Sequence, residues 1–105
     1  MNAALTAFSA LGQETRLNVL RLLVRTGRDG LLAGQVAGKL GVRQNTLSAN
    51  LSVLAQAGLI QGTREGRAVR YRADVAGIRG LLAFLIDDCC GGRPDLCPPP
   101  TEAPR

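Results

Sequence analysis

The sequence predicts a mainly α-helical domain of about five helices with one two-stranded β-hairpin. Two observations indicate this fold class. Apolar residues recur every three or four positions through most of the chain, and an alternating stretch rich in arginine interrupts them once. With 105 residues, 46% of them hydrophobic but only 3% aromatic, the chain has room for one domain with a modest aliphatic core.

The most informative stretch is GVRQNTLSANLSVLAQAGLI, residues 41–60. Leu47, Leu51 and Leu54 fall at i, i+4 and i+7, which places them on one face of a helix. The opposite face carries amides, hydroxyls and one methyl group but no acid, at Asn45, Ser48, Ala49, Ser52 and Gln56. Such a face suits a helix that lies against a polyanion and hydrogen-bonds to base edges. An ordinary surface helix is the alternative.

A short helix and a tight turn precede this stretch. Residues 33–40 predict a helix with Val36 and Leu40 facing inward, and Gly41 suits the left-handed conformation that ends a helix. A short helix, a turn containing glycine and a second helix form the helix-turn-helix pattern. Gly58 then ends the second helix.

Two strands are predicted next, over residues 59–63 and 68–72, joined by the turn Arg64-Glu65-Gly66-Arg67. A hairpin that follows a helix-turn-helix is a wing, and a cationic tip would reach phosphates or the minor groove. Four arginines favour this interpretation over a solvated loop: Arg64, Arg67, Arg70 and Arg72. We therefore predict a winged helix-turn-helix.

Further helices are predicted before this unit. Residues 3–11 form a short, alanine-rich segment, and residues 13–26 predict a second helix whose buried stripe is Leu17, Leu20 and Val24.

The last helix is predicted to begin at Asp74, a suitable N-cap. Its apolar stripe is broad and comprises Val75, Ile78, Leu81, Leu82, Leu85 and Ile86. Gly77 and Gly80 would permit close backbone approach. So apolar a terminal helix predicts a symmetric homodimer interface, although packing against its own core would explain a narrower stripe.

Charge and the absence of histidine limit the function. Between Arg16 and Arg72 the chain has ten basic residues against two acids, a local charge of +8, while residues 87–105 carry four acids against two arginines. A basic body favours an anionic macromolecular partner. With no histidine, Ser-His-Asp catalysis and histidine zinc sites are excluded, and we expect no enzyme. Without a predicted membrane span or secretory signal, we expect a cytoplasmic protein.

All three cysteines lie within nine residues, at Cys89, Cys90 and Cys97. Three thiolates without a fourth ligand do not match structural zinc but suit a thiophilic ion of low coordination, such as As(III) or Sb(III). Cadmium or lead would need help from a neighbouring aspartate. A redox switch, a metalloid carrier without DNA function, and a simply buried Cys89 remain alternatives.

The sequence divides into a DNA-binding and dimerisation domain, residues 1–88, and a Cys/Pro-rich tail, residues 89–105, which is predicted to carry the inducer site.

Three segments resemble the ArsR/SmtB family of winged-helix metal-sensing repressors: LGQETRLNVLRLL at 11–23, LGVRQNTLSANLSVLAQAGLI at 40–60 and GTREGRAVRYR at 62–72. The resemblance implies a homodimer, joined by the first and last helices, that occupies double-stranded operator DNA without a cofactor and leaves it when an inducer binds. Some arsenite-sensing members are similar in placing a Cys-Cys pair and a third Cys after the last helix.

The chain departs from the family pattern at several positions. The third helix has no cysteine, and the absence of histidine removes the zinc sites of the last helix. Asn50 stands where the family usually has histidine, and Arg43 where a capping serine is usual. Base preference is therefore not carried over.

We predict an arsenite-responsive repressor, with As(III) as inducer and Sb(III) as an alternative, held by Cys89, Cys90 and Cys97. The residues expected to meet bases in the major groove are Gln44, Asn45, Thr46 and Ser48. Those expected at phosphates or the minor groove are Arg43, Arg64 and Arg67.

Overall fold

A computed structural model describes residues 3–89, which form five α-helices and a three-stranded antiparallel sheet. The elements in chain order are α1 (Ala3–Leu11), α2 (Glu14–Thr26), β1 (Leu31–Leu32), α3 (Ala33–Leu40), α4 (Gln44–Gln56), β2 (Ile60–Glu65), β3 (Ala68–Ala73) and α5 (Val75–Ala83), followed by a π-helical turn (Phe84–Cys89). This is the predicted winged helix-turn-helix. None of the helices in this part of the chain is long and apolar enough to cross a membrane.

The core forms where α4 packs against the other helices. Leu47, Leu51 and Leu54 are buried, as their spacing predicts, and so is Val36 of α3. Gly41 ends α3 in the left-handed conformation, with φ 67° and ψ 32°, and its N–H donates to the carbonyl of Ala37. The helix-turn-helix geometry therefore follows from an aliphatic stripe and one glycine.

The wing is longer than predicted, because β2 and β3 pair from Ile60↔Ala73 to Glu65↔Ala68 around a two-residue turn at Gly66. The sequence analysis missed β1, whose Leu31 pairs with Tyr71 of β3. Gly30, at φ 63°, lies directly against the carbonyl of Tyr71, where a Cβ atom would collide. The wing is thus joined to the turn after α2.

The predicted buried stripe of α2 is wrong. Val19 and Leu23 are fully buried, whereas Leu17 is 42% and Val24 54% exposed, and Leu20 is only partly buried. Apolar residues occupy more than one face of α2, and helical spacing alone cannot distinguish the core face from a second apolar face.

The last helix divides its apolar residues between two directions. Asp74 caps it as predicted, because its carboxylate accepts the N–H of Gly77 at 3.1 Å. Ile78 and Leu81 pack against the core, while Val75 and Leu82 stay exposed. After Ala83 the backbone is π-helical, so the side-chain phase assumed for a continuous α-helix does not continue.

Candidate nucleic-acid interface

The outer face of α4 is open to solvent along its length. The exposed side chains are those predicted to be so, at Asn45, Ser48, Ala49, Ser52 and Gln56, and also Gln44 and Thr46 at the helix start. The Oδ1 atom of Asn45 accepts the N–H of Thr46 at 2.8 Å, which fixes the amide of Asn45 at the first turn. The face offers hydrogen-bond donors and acceptors but no charge.

The amino terminus of α4 is suited to an anion. Arg43 occupies the N-cap position and makes no side-chain capping bond, and the first turn carries no acid. Backbone N–H groups at a helix start lack intrahelical partners, and the helix dipole places positive potential there. With the exposed guanidinium of Arg43 beside it, this end of α4 can bind a phosphate.

The wing supplies two further cations. Arg64 and Arg67 are exposed, and neither forms an ion pair or hydrogen bond with the described side chains or backbone of residues 3–87. Arg67 lines a groove of about 600 Å³ together with Gln44 and Ser48 of α4. The groove places one wing arginine beside two residues of the predicted base-reading set.

Arg70 and Arg72, which strengthened the DNA interpretation of the wing, have a different role. Arg70 donates from Nε to Glu65 at 2.7 Å and from Nη1 to the carbonyl of Asp29 at 3.1 Å. Arg72 donates from Nε to the carbonyl of Arg28 at 2.8 Å. The hydrogen bond from Arg70 lowers the pKa of Glu65. The stabilisation that this ion pair contributes is therefore complete above the ordinary carboxyl pKa and is lost as the pH falls through the lowered pKa of Glu65. Both arginines hold the wing to the turn after α2.

This division of the arginines gives a first prediction. Arg67→Gln should weaken operator binding about ten-fold and reduce the slope of log affinity against log salt concentration. The slope falls because a protein that makes one phosphate contact fewer releases about one counterion fewer from the DNA when it binds. Arg64→Gln should act in the same direction. The measurement is a salt titration of binding by fluorescence anisotropy.

Arg21→Gln is the matched control, because Arg21 is an exposed arginine of α2 that does not line the groove between Arg67 and α4. It should leave both affinity and slope closer to wild type. An unchanged salt slope in Arg67→Gln would remove the wing tip from the interface.

Asn50 does not belong to the outer face of α4. Its side chain is buried, donates from Nδ2 to the carbonyl of Thr46 at 3.2 Å and accepts from Arg16 Nη1 at 3.1 Å. Arg16 also donates from Nε to the carbonyl of Ala10 at 2.6 Å. The departure at Asn50 therefore concerns internal packing, and sequence periodicity gave no signal of the long-range partner Arg16.

The predicted inducer site lies at the edge of the described chain. The backbone of Cys89 ends the π-helical turn, while its side chain and residues Cys90 and Cys97 lie outside the described residues. Among the side chains that the structure describes, those of residues 3–87, no three Cys, Asp or Glu groups are placed to hold a metal ion.

Comparison with known proteins agrees with this geometry. Residues 11–63 match the family described as a helix-turn-helix domain. The chain is 33% identical over 90 residues to YbzH of Bacillus subtilis, an uncharacterised HTH-type transcriptional regulator, covering 74% of this chain and 90% of that protein. A Halobacterium salinarum protein provisionally named an arsenical resistance operon repressor, ArsR, is 30% identical over 84 residues, covering 80% of this chain and 64% of that protein.

Solved structures identify the branch of helix-turn-helix proteins. An ArsR-like transcriptional regulator from Rhodococcus sp. RHA1 superposes with a TM-score of 0.72 and 30% identity, covering 90% of this chain and 84% of that one. The chain belongs to the ArsR family. A homodimeric winged helix-turn-helix DNA-binding domain, Mb0332 from Mycobacterium bovis, superposes with a TM-score of 0.64 and 30% identity, covering 87% of this chain and 84% of that one.

Membership of the ArsR family makes this chain a DNA-binding transcriptional regulator and not an enzyme. The outer face of α4, its uncapped start and the wing arginines Arg64 and Arg67 all lie on the exposed surface of this ArsR-family chain.

Proposed function

We propose that this ArsR-family protein is a homodimeric repressor that leaves operator DNA when As(III) or Sb(III) binds Cys89, Cys90 and Cys97. Gln44, Asn45, Thr46 and Ser48 would read bases, and Arg43, Arg64 and Arg67 would contact the backbone or the minor groove. The observation that carries the DNA half is the groove that Arg67 of the wing lines together with Gln44 and Ser48 of α4.

Exposed apolar side chains on α1 and α5 support the homodimer. Alanines of α1 face the core, which leaves Leu5 (58% exposed) and Phe8 (41%) outside, and α5 leaves Leu82 (44%) outside. The ring of Phe8 lies edge-to-face on Phe84, with 6.4 Å between centroids, so α1 and the end of α5 are joined. A second copy would cover these residues by symmetry.

The chemistry of the tail supports a metalloid inducer. Three thiols within nine residues match the three-sulfur coordination that we expect for As(III), and no histidine is present to complete a zinc site. Cys89 directly ends the π-helical turn that extends α5, and single π-helical turns are frequent at functional sites. Ligand binding would therefore act on the end of a proposed dimer helix. Coupling free energies between such sites are typically about 1–3 kcal/mol.

The test is a mobility shift on the promoter of the gene itself, with and without arsenite. Arsenite should release DNA from the wild type, and Cys89→Ser, Cys90→Ser and Cys97→Ser should each stay bound, because two sulfurs hold the ion far less tightly than three. The expected change in operator affinity is about ten-fold or more.

The controls separate this mechanism from its alternatives. Ser48→Ala should weaken DNA binding without changing the arsenite concentration that half-releases the remaining complex. Release by peroxide that dithiothreitol reverses, with no response to arsenite, would favour a redox switch over a metalloid site. Three single cysteine variants that all still respond would contradict the sensor assignment.

A further inference from the structure

A second concave site lies between the end of α2, the end of β3 and the start of α5. It is a cleft of about 560 Å³, within the usual size range of small-molecule sites. Leu23, which is fully buried, contributes to its lining. The other apolar residues of the lining are aliphatic as well: Val24, Ala73, Val75 and Ile78.

Positive charge accompanies this aliphatic surface. Arg28, Arg72 and Arg79 belong to the lining, which includes no acidic residue. Arg72 is fixed, since its Nε donates to the carbonyl of Arg28 and its Nη1 lies 3.4 Å from Thr63 Oγ1. Arg28 and Arg79 are exposed, and among the side chains described, those of residues 3–87, their guanidinium groups have no hydrogen-bond partner.

We propose that this cleft binds a small aliphatic carboxylate, such as a medium-chain fatty acid. The chain would lie on Leu23 and Ile78, and the carboxylate would meet Arg28 and Arg79. An aliphatic chain fits better than an aromatic ring because the lining offers no ring to stack on. The anionic head follows from the arginines, since guanidinium groups bind carboxylates through paired, charge-assisted hydrogen bonds.

A second copy of the chain is the competing occupant, because Val24 and Val75 are both more than half exposed beside the cleft. The lining itself supplies no acid, so an apolar surface packed on the cleft would remove Arg28 and Arg79 from water without a partner. Burying a cation without a partner is costly, whereas a carboxylate neutralises it. Charge complementarity therefore favours the small anion. The proposal does not depend on the cysteines.

Calorimetric titration of the full chain with decanoate, below its micellar concentration, tests the proposal. One saturable site per subunit is expected, and decan-1-ol should bind at least about ten-fold more weakly because it cannot form the charge-assisted bonds. Arg79→Gln should weaken decanoate binding by about ten-fold and leave decan-1-ol binding unchanged.

A matched pair of variants locates the ligand. Val75→Glu places a carboxylate in the lining and should abolish decanoate binding, whereas Ala76→Glu adds the same charge one residue further along α5, outside the lining. Both lie in the first turn of α5, where an acid is compatible with the helix dipole, so both should fold.

Three results would overturn the proposal. The first is equal loss of binding in Val75→Glu and Ala76→Glu, and the second is non-saturable uptake that the arginine substitution does not change. The third is a Val75→Glu variant that becomes monomeric in sedimentation while the wild type takes up no decanoate, because the cleft would then belong to a second copy.

Discussion

Gly77→Ala is expected to lower the free energy of unfolding by about 1–3 kcal/mol, the usual cost of overpacking. Gly77 lies against the backbone of Gly58, at the corner where α4 turns into the wing, and an added Cβ atom would overlap the carbonyl oxygen of Gly58. Neither partner is a flexible side chain, so α5 itself has to move. Chemical denaturation at a fixed protein concentration measures the change, since the proposed dimerisation would make apparent stability depend on concentration.

Gly80→Ala is the matched control on the same helix. A Cβ atom at Gly80 meets no atom within 4 Å among the described residues, so only the conformational effect of alanine remains. That effect should stabilise the protein by about 0.4–1 kcal/mol. If both substitutions shift stability equally and in the same direction, the contact between Gly77 and Gly58 does not position α5.

The elements that can be predicted well from the sequence are those whose residues have a single structural role, such as core packing or a tight turn. Leu47, Leu51 and Leu54 repeat at helical spacing, have a polar face opposite and end at a glycine, and all three are buried. Gly41 is equally local, because a left-handed turn between two helices favours glycine whatever surrounds it. These features define the helix-turn-helix, and the predicted exposure of the outer face of α4 is confirmed.

Prediction failed where a helix has two apolar surfaces. In α2, Leu17 and Val24 recur as regularly as the buried Val19 and Leu23. Periodicity gives the width of an apolar surface but does not say whether the subunit core or another molecule covers it. The two-residue strand β1 was missed for a different reason, since Leu31 and Leu32 are too short a run to carry a period.

Long-range hydrogen bonds could not be predicted from the sequence either. The four wing arginines look alike in a sequence, but only the structure separates Arg64 and Arg67, which are free of described partners, from Arg70 and Arg72, which bind carbonyl groups of the α2–β1 turn. The pairing depends on the fold that brings that turn to β3. A local count of cations therefore cannot tell which wing arginines are engaged within the fold.

Arg16→Met should lower the free energy of unfolding by about 1–3 kcal/mol, because it keeps the apolar stem and removes the guanidinium. The carbonyl of Ala10 and the side chain of the buried Asn50 would lose their donor, and with it the link between α1, α2 and α4. Arg21→Met, on the exposed side of α2, should change stability by no more than about 0.5 kcal/mol. Chemical denaturation of both variants at one protein concentration measures the difference.

A double-mutant cycle with Asn50→Ala assigns the effect to the contact itself. The two losses should be less than additive by about 0.5–1 kcal/mol, since either substitution removes the same hydrogen bond.

The same variants also decide whether Asn50 takes part in reading DNA. Because its side chain is buried and bonded to Thr46 and Arg16, Asn50→Ala should leave the ranking of operator sequences unchanged even where overall affinity falls. A changed ranking in Asn50→Ala, with Arg16→Met ranking as the wild type does, would place Asn50 at the bases after all and would contradict its inward position.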